Sequence, residues 1–497
     1  MYGDYEAQRH WMEITTALPL NKWYVGDDRV NDISYWGLDY PPLTAYVSYM
    51  CGLVAQTLDP EMVAPFSSRG YESPGSKAFM RFTVVCLDVL VYFTAAWSFC
   101  SFAYGSGGSG YVAKAWACFK RDKRNYMFAC ETFLLLLLSP GIILIDHGHF
   151  QYNCVSLGLV VAAVAFLHKD RRLAASVSFC LSLNFKQMSL YYAPAIFFYL
   201  LSHVVWDAVK ASRTLLGRFG HVARGVAELG AVVLATFALH WIPFCFDEWD
   251  WVGSQQCGKN LLAVLKRLFD FNRGVFEDKV ANVWCSLSPV FKVKNMERHF
   301  MVALCLGATI VSLAPMAIDL MRRRPSPPQL VYALFNSSIG FFLFSYQVHE
   351  KGILMPLLLS ACLMGVDPFP NALFAVVATF SMSPLLLRDG LAVPYFVTLF
   401  VFLGTFALVF EREFGQAQRA TGALPILAKL YVVFSLLIMM VLHILHACVD
   451  PPARYPHLWI VFIEIFSCAQ FLAFAVYTNV IQFTLNTTPG RKVRKVD

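Results

Sequence analysis

The sequence is short of charge and of the motifs that accompany nucleotide chemistry. Only 15% of its 497 residues are Asp, Glu, Lys or Arg, whereas 57% are hydrophobic. It contains neither the P-loop pattern nor the Rossmann glycine fingerprint, and it has no Asp-x-Asp pair. This composition argues against a soluble globular protein. The net charge of +7 comes from basic loops between apolar runs, so we expect no nucleic-acid partner.

Patterns for metal binding and for disulfide frameworks are also sparse. The fourteen cysteines include no Cys-x-x-Cys pair, and most lie in apolar runs, where cysteine behaves as a small apolar residue. Cys257 and Cys285 share one long polar loop and could pair in an oxidising compartment. Residues 146–149 contain a D-x-x-H and an H-x-H grouping, but a metal site needs three or four convergent ligands. We therefore expect no metal and no cofactor.

What the chain does have is a series of long apolar runs. A bilayer core about 30 Å thick is crossed by about 20 helical residues, so we predict an all-α polytopic membrane protein with about 13 transmembrane helices. The predicted spans are 79–104, 126–145, 154–168, 172–185, 190–207, 225–245, 299–320, 328–346, 353–366, 370–386, 391–410, 425–447 and 457–483.

The loops between these runs predict the orientation of the chain. With these spans, the basic loops all fall on one side, which the positive-inside rule makes cytosolic: 114–124, 169–172, 210–224, 322–324 and 491–495. The opposite, luminal side receives the polar stretches 3–42, 146–153, 186–189, 247–298, 347–351 and 446–455. Because residues 3–42 must be luminal, we expect a further helix upstream of this sequence.

This topology divides the chain into five parts. Residues 1–78 form a luminal segment with amphipathic or interfacial helices, 79–245 the first transmembrane part, 246–298 a luminal loop, 299–490 the C-terminal transmembrane helices and 491–497 a basic cytosolic tail.

Two helices are predicted within the first of these parts. Residues 43–58 are apolar but short, and both ends must be luminal, so they favour an interfacial or re-entrant helix. A helix over residues 5–18 has an apolar face typical of a helix lying on a membrane surface. That face comprises Tyr5, Trp11, Met12, Ile14 and Leu18.

Several luminal stretches carry candidate ligand-binding residues. Lys186 lies on the luminal side against the charge bias, which favours an anionic partner, although lysines at span ends often only extend to the interface. His349, Glu350 and Lys351 stand together at the end of a span. The charged cluster around Arg273 fits ligand contact and a folded cap with internal ion pairs equally well. A lipid monophosphate leaving group would require only such cations, without a nucleotide pocket or an obligatory metal.

Six motifs together resemble one family of enzymes: GDYEAQRHWMEIT (3–15), WGLDYPPLTAY (36–46), IDHGHFQYN (145–153), LNFKQMSLYYAP (183–194), RGVFEDKVANVWC (273–285) and QVHEK (347–351). They are similar to the dolichyl-phosphate-glucose-dependent glucosyltransferases of N-glycan assembly in the endoplasmic reticulum, which have the GT-C fold. The match runs from residue 2 to about residue 360. EAQRHW and WGLDYPP are typical of the member that adds the first glucose.

The resemblance implies a substrate pair and a reaction. Glucose would pass from dolichyl phosphate glucose to the lipid-linked oligosaccharide Man9GlcNAc2-PP-dolichol, forming an α-1,3 linkage by a single inverting displacement at the luminal side of the endoplasmic reticulum membrane. Asp4 matches the general base of the family, with Asp39 as the second candidate. Lys186, Arg273 and His349 match cations of the phosphate site, while Asp146, His147, Gln187 and Glu350 are weaker candidates for sugar binding or support.

Other interpretations predict different features. The sister enzyme that adds the second glucose shares most of this pattern. A polyisoprenoid-lipid transporter should show polar residues near mid-membrane and inverted repeats, whereas a lipid-binding protein would leave Asp4 replaceable. Asp4 itself also fits the N-cap of the helix over 5–18, since aspartate caps helices well.

Overall fold

The architecture was obtained as a computed structural model, which describes residues 4–26, 31–104, 125–247, 250–269, 279–421 and 426–485. These residues are predominantly helical. The α-helices are Tyr5–Ala17, Pro42–Leu58, Pro74–Leu87, Thr94–Tyr104, Asn125–Leu137, Pro140–Ile143, Asn153–His168, Arg172–Phe185, Ala193–Ala211, Leu215–Trp241, Ser254–Leu268, Val283–Phe291, Arg298–Arg322, Pro327–Phe344, Leu354–Leu363, Pro368–Ser381, Ser383–Arg388, Ala392–Thr421, Ile426–Cys448 and Leu458–Thr484.

Shorter elements connect these helices. Turns of 3₁₀-helix lie at Leu20–Lys22, Ile33–Tyr35, Pro60–Met62, Gln187–Tyr192, Ile242–Cys245, Val293–Asn295 and Glu350–Ile353, and π-helical segments lie at Asp88–Phe93 and Leu144–Phe150. The strands Phe246–Asp247 and Asp250–Trp251 form an antiparallel pair, with Phe246 opposite Trp251.

The protein is a multi-pass helical membrane protein, but the expected count of thirteen spans is not confirmed. Each predicted span overlaps a helix. In the part of the chain that the structure describes, seven helices are long and apolar enough to cross a membrane, or eight if one bent pair is a single span. The helices Asn153–His168, Arg172–Phe185 and Pro368–Ser381 are apolar but shorter.

The helix Pro327–Phe344 lies in the interior of the helix bundle. Residues 328–340 are all buried, because the helices Arg298–Arg322, Leu354–Leu363 and Leu458–Thr484 pack around it. It is an interior helix whose apolar side chains contact protein. It ends at Phe344 and so delivers residues 345–351 to the functional site.

The bent pair delivers another part of the site. Helices Met127–Leu137 and Pro140–Phe150 meet at an angle of 45°. Pro140 has no N–H to donate and restricts the residue before it, so the first helix stops there. The second helix ends at Phe150, whose φ of 79° turns the chain so that residues 151–153 can start the next helix.

The first helix, Tyr5–Ala17, corrects the expectation of a helix lying on the membrane surface. Its apolar face is covered by protein: Tyr5, Trp11, Met12 and Ile14 are buried. The helix Pro42–Leu58 packs closely along it, since a Cβ at Gly52 would lie 3.0 Å from the carbonyl oxygen of Met12. An amphipathic helix has the same pattern against protein as against lipid, so the periodicity could not separate the two.

A buried ion network fixes this helix to the following loops. Arg9, which is fully buried, donates to Glu6 at 2.8 Å and to Glu13 at 2.9 Å through Nη2. Its Nη1 donates to the carbonyl oxygen of Met62 at 2.8 Å and to Ser68 Oγ at 2.6 Å. Although burial raises the pKa of the Glu13 carboxyl, its hydrogen bonds bring the pKa down to about 2. Helix Tyr5–Ala17 is therefore locked to residues 62–68.

The possible disulfide between Cys257 and Cys285 is wrong. Cys257 pairs with Cys245, with 4.4 Å between the Cα atoms. The strand pair that follows Cys245 reverses the chain, so the helix Ser254–Leu268 brings Cys257 back beside it. Cys285 is a buried free thiol whose Sγ donates to Glu464 Oε2 at 3.3 Å.

Candidate active site

Six separated parts of the chain meet at one cavity of about 630 Å³, which we call the main cavity. Its lining comes from Asp4, residues 36–40, Gln151 and residues 186–191, 267–269 and 341–351. The cavity therefore combines several of the motifs that carried the resemblance. Its polar and charged lining includes Asp4, Asp39, Gln151, Lys186, Gln187, Arg267, His349 and Lys351.

Asp4 occupies the N-cap position of helix Tyr5–Ala17 but does not act as a side-chain cap. Its carboxylate makes no hydrogen bond to the first turn of that helix, which is described in full. Instead, Oδ2 accepts from Nε2 of Gln151 and from Nζ of Lys351, which lies at 3.1 Å. The side chain is 26% exposed. Gln151 and Lys351 therefore hold the carboxylate while it remains part of the lining of the main cavity.

The charges around Asp4 determine its ionisation. Burial raises the pKa of the Asp4 carboxyl, but the contact with His149 and the charge of Lys351 outweigh burial and hold its pKa well below the usual range. Asp4 is therefore an anion in the ligand-free site. It becomes a better proton acceptor only when Lys351 gains another negative partner.

Lys186 supplies a second cation. Its buried ammonium donates to Oε1 of Gln151 at 3.0 Å and to Oδ1 of Asn153, and it lies 4.9 Å from the centre of the Tyr40 ring. Both hydrogen-bond acceptors are neutral amide oxygens. Burial and the charge of Lys351 lower the pKa of Lys186 to about 8. An anion entering the cavity would favour its protonated form.

Asp146 lies behind this cation and not in the lining of the main cavity. Its Oδ1 accepts from Nδ2 of Asn153 at 2.6 Å, and its Oδ2 from the backbone N of Cys154 at 2.7 Å. Asp146 thus caps helix Asn153–His168 and orients Asn153, which in turn holds Lys186. Its part in the site is support of other residues.

The segment QVHEK divides its side chains between two cavities. His349 and Lys351 line the main cavity, whereas Glu350 lines a second cavity of about 420 Å³. His349 Nδ1 lies 2.9 Å from Oε2 of Glu350. The extended backbone of His349, with φ −106° and ψ 150°, points neighbouring side chains in different directions. Glu350 therefore lies beside His349 but lines the second cavity.

Of the residues proposed from the sequence, Asp4, Asp39, Lys186, Gln187 and His349 meet at the main cavity. Gln187 Nε2 donates to the carbonyl oxygen of Asp39 at 3.1 Å. His147 is occupied elsewhere: its Nε2 lies 2.7 Å from Oδ2 of Asp88. Arg273 falls outside the described residues.

The structure gives a place in the site to residues for which the sequence had suggested no specific role. Gln151 and Lys351 contact Asp4 directly, and both were present in the motifs that were recognised. Arg267 donates to the carbonyl oxygens of Gly37 at 2.8 Å and Leu38 at 2.9 Å, which fixes the loop that carries Asp39. No sequence signal pointed to Arg267.

No group of three His, Cys, Asp or Glu side chains within the described ranges is placed to hold a metal ion. The cations that line the main cavity include the ammonium groups of Lys186 and Lys351. A carboxylate beside several cations can accept a proton on one side while a negatively charged group is stabilised on the other.

Comparisons with a family model and with individual proteins point to the same family. The sequence model of the ALG6, ALG8 glycosyltransferase family matches residues 1–477. A Gallus gallus protein named dolichyl pyrophosphate Man9GlcNAc2 alpha-1,3-glucosyltransferase is 40% identical over 499 residues, covering 97% of this chain and 90% of the relative. The Rattus norvegicus protein of that name is 39% identical, covering 100% of this chain and 94% of the relative.

A Drosophila melanogaster relative extends this set to insects. It is named a probable dolichyl pyrophosphate Man9GlcNAc2 alpha-1,3-glucosyltransferase and is 41% identical over 485 residues, covering 97% of this chain and 93% of the relative. The resemblance drawn from the motifs is thereby confirmed, and the chain belongs to the ALG6, ALG8 glycosyltransferase family.

Proposed function

We propose that this chain transfers glucose from dolichyl phosphate glucose to Man9GlcNAc2-PP-dolichol and forms an α-1,3 linkage. We further propose a GT-C fold and a site on the luminal side of the endoplasmic reticulum membrane. One observation carries the proposal: the carboxylate of Asp4 shares a single cavity with the ammonium groups of Lys186 and Lys351 and the imidazole of His349. The relatives' names supply the acceptor and the linkage.

The cations suit a donor whose leaving group is a phosphate monoester. Lys186 and Lys351 present ammonium groups to the main cavity, and His349 adds an imidazole. Charge-assisted hydrogen bonds to phosphate oxygens are stronger than neutral ones. They would stabilise the charge that remains on dolichyl phosphate when its bond to glucose breaks.

The apolar part of the cavity suits the lipid portion of that donor. Tyr191 and Phe341 stack with their ring centres 5.1 Å apart and an interplanar angle of 10°. Met188 and Leu190 continue this lining. Apolar side chains beside a phosphate site favour an isoprenoid phosphate over a hydrophilic sugar nucleotide, because burial of its hydrocarbon is favourable.

Gln187 offers a contact for the glucose or for the acceptor sugar. Its Oε1 is buried and has no hydrogen-bond partner among the residues that the structure describes, while its Nε2 is used by the carbonyl oxygen of Asp39. An unpartnered buried acceptor is unfavourable. A sugar hydroxyl entering the main cavity would satisfy it.

The reaction then proceeds in one displacement. The acceptor hydroxyl attacks the anomeric carbon of β-linked glucose, the bond from that carbon to the phosphate oxygen breaks, and the new bond is α. Asp4 takes the hydroxyl proton, and dolichyl phosphate leaves with the electron pair of the broken bond. When the donor phosphate contacts Lys351, its negative charge offsets that of the ammonium, so the Asp4 carboxylate becomes a stronger base.

Donor choice tests this proposal. The purified full-length protein should transfer glucose from dolichyl phosphate glucose and leave UDP-glucose unused at equal concentration. Transfer from UDP-glucose with no requirement for the dolichyl donor would contradict the assignment of the main cavity. Replacing the Man9GlcNAc2 acceptor by its monoglucosylated form should abolish transfer; preferential use of that form would instead support the second-glucose reaction.

A further inference from the structure

A row of hydrogen-bonded side chains runs from Asp4 into the protein interior. Nζ of Lys351 lies 3.1 Å from Oδ2 of Asp4 and 3.0 Å from Nε2 of His149. On the other edge of the ring, Nδ1 of His149 contacts Oδ2 of Asp389 at 2.5 Å. His149 and Asp389 are buried, whereas Lys351 lines the main cavity. The row thus joins the site to the turn after helix Ser383–Arg388.

The donors and acceptors in this row determine where its protons lie. A lysine ammonium has three N–H donors and no acceptor, so Nε2 of His149 is the acceptor in its 3.0 Å contact with Lys351, while Oδ1 of Asp4 lies farther from the same nitrogen, at 3.5 Å. A neutral imidazole with an acceptor at Nε2 carries its proton on Nδ1, and this proton is donated to Asp389. The carboxylate of Asp389 therefore selects the tautomer of His149 that can hold Lys351.

Lys351 is held by two contacts and keeps a third donor. Among the residues that the structure describes, Asp4 and His149 account for two N–H groups of Nζ. The side chain is 11% exposed, and its remaining N–H is available to a ligand in the main cavity. The position of this ammonium therefore depends on His149 as well as on Asp4.

We propose that Asp389 and His149 are positioning residues for glucosyl transfer, which hold the ammonium of Lys351 between Asp4 and the donor phosphate. This inference rests on the proposed function and extends it to two residues outside the lining of the main cavity. With the ammonium fixed, Asp4 stays ionised before the donor arrives, and Lys351 is placed to contact the phosphate when it does.

The variant Asp389→Asn tests the tautomer argument. The introduced amide can donate to Nδ1 of His149, which moves the ring proton to Nε2 and sets an N–H against the ammonium of Lys351. We expect kcat/KM to fall by about 10- to 100-fold, similar to the loss when groups that orient metal ligands are removed. Asp367→Asn is the matched control, because Asp367 accepts a hydrogen bond from Tyr477 elsewhere in the protein; it should leave transfer unchanged.

A double-mutant cycle distinguishes positioning from a general loss of structure. If Asp389 acts through Lys351, then Asp389→Asn should change kcat/KM by less than about threefold when Lys351→Met is already present. Independent effects that multiply in the double variant would overturn the proposal. So would an Asp389→Asn protein with the turnover of the wild type.

Two further variants decide the question if Asp389→Asn does not fold. His149→Gln places a carbonyl oxygen near the position of Nε2 and can still accept from Lys351, whereas His149→Met provides only a weak acceptor. We expect His149→Gln to be at least about tenfold more active than His149→Met; equal activity contradicts the positioning role. The wild-type protein is assayed alongside to test the proposed function separately from the positioning role. If the wild type fails to transfer glucose, the proposed function itself is contradicted.

Discussion

Replacing Asp4 by Asn removes the negative charge from the main cavity and leaves the shape of the side chain nearly unchanged. The new carbonyl oxygen can take the place of Oδ2 and accept from Gln151 and Lys351, while the amide nitrogen takes the place of Oδ1, which lies 3.5 Å from Nε2 of His149. The hydrogen bonds around the residue are thereby retained. The variant should fold.

The structure also limits the cost in stability. No helix cap is lost, because the Asp4 side chain does not hydrogen-bond to the first turn. The side chains of the pair with Lys351 are only 11% and 26% exposed, and hydrogen bonds to a charged group contribute about 1.5–3 kcal/mol. The free energy of unfolding should therefore fall by no more than about 3 kcal/mol. The rate should change far more, because a general base contributes on the order of 100- to 10,000-fold.

The assay measures kcat with saturating dolichyl phosphate glucose together with the thermal unfolding temperature. Asp32→Asn is a suitable control, because Asp32 lies in the same polar segment and accepts from Ser34 at an exposed turn. Near-full turnover by Asp4→Asn would refute the reasoning and direct attention to Asp39, which also lines the main cavity. With Asp4 as the base, Asp39→Asn should have a smaller effect.

Three further predictions follow from the site and its support. Lys186→Met should raise the donor KM by about 10- to 100-fold, as expected from the loss of a charged hydrogen bond. Because burial lowers the pKa of Lys186 to about 8, the wild-type KM should rise as the pH increases through about 8. The variant should lack this rise. EDTA should leave turnover unchanged, and loss of activity that manganese restores would contradict this. Arg9→Ala should destabilise the fold by about 3–5 kcal/mol in thermal unfolding, because it leaves buried carboxylates unpaired. The control Arg224→Ala breaks an exposed pair and should cost less than about 1 kcal/mol.

The helices could be predicted from hydropathy, but their surroundings could not. Apolar periodicity reports that a helix is removed from water, without distinguishing lipid from protein. The first helix, Tyr5–Ala17, was therefore placed on a membrane surface although protein covers its apolar face. The disulfide between Cys245 and Cys257 depends on a chain reversal after Cys245. No sequence motif predicted this reversal.

The sequence singled out a candidate site residue where that residue carried its own local signal. Asp4 lay in a long motif, and Lys186 stood out as a cation against the charge bias. Asp389 gave no such signal, because its meaning comes from a contact with His149 across 240 positions of sequence. Asp146 was predicted in the right region, but only the structure shows that it caps a helix and orients Asn153.

The linkage of the product tests the central claim most directly. The full-length wild-type protein is incubated with dolichyl phosphate glucose labelled with carbon-13 and with Man9GlcNAc2-PP-dolichol, and the released oligosaccharide is examined by NMR. The account predicts one added glucose, α-linked to position 3 of a terminal mannose. A β-linked glucose would contradict the inverting displacement, and an unmodified acceptor would contradict the assignment of the main cavity as a glucosyltransferase site.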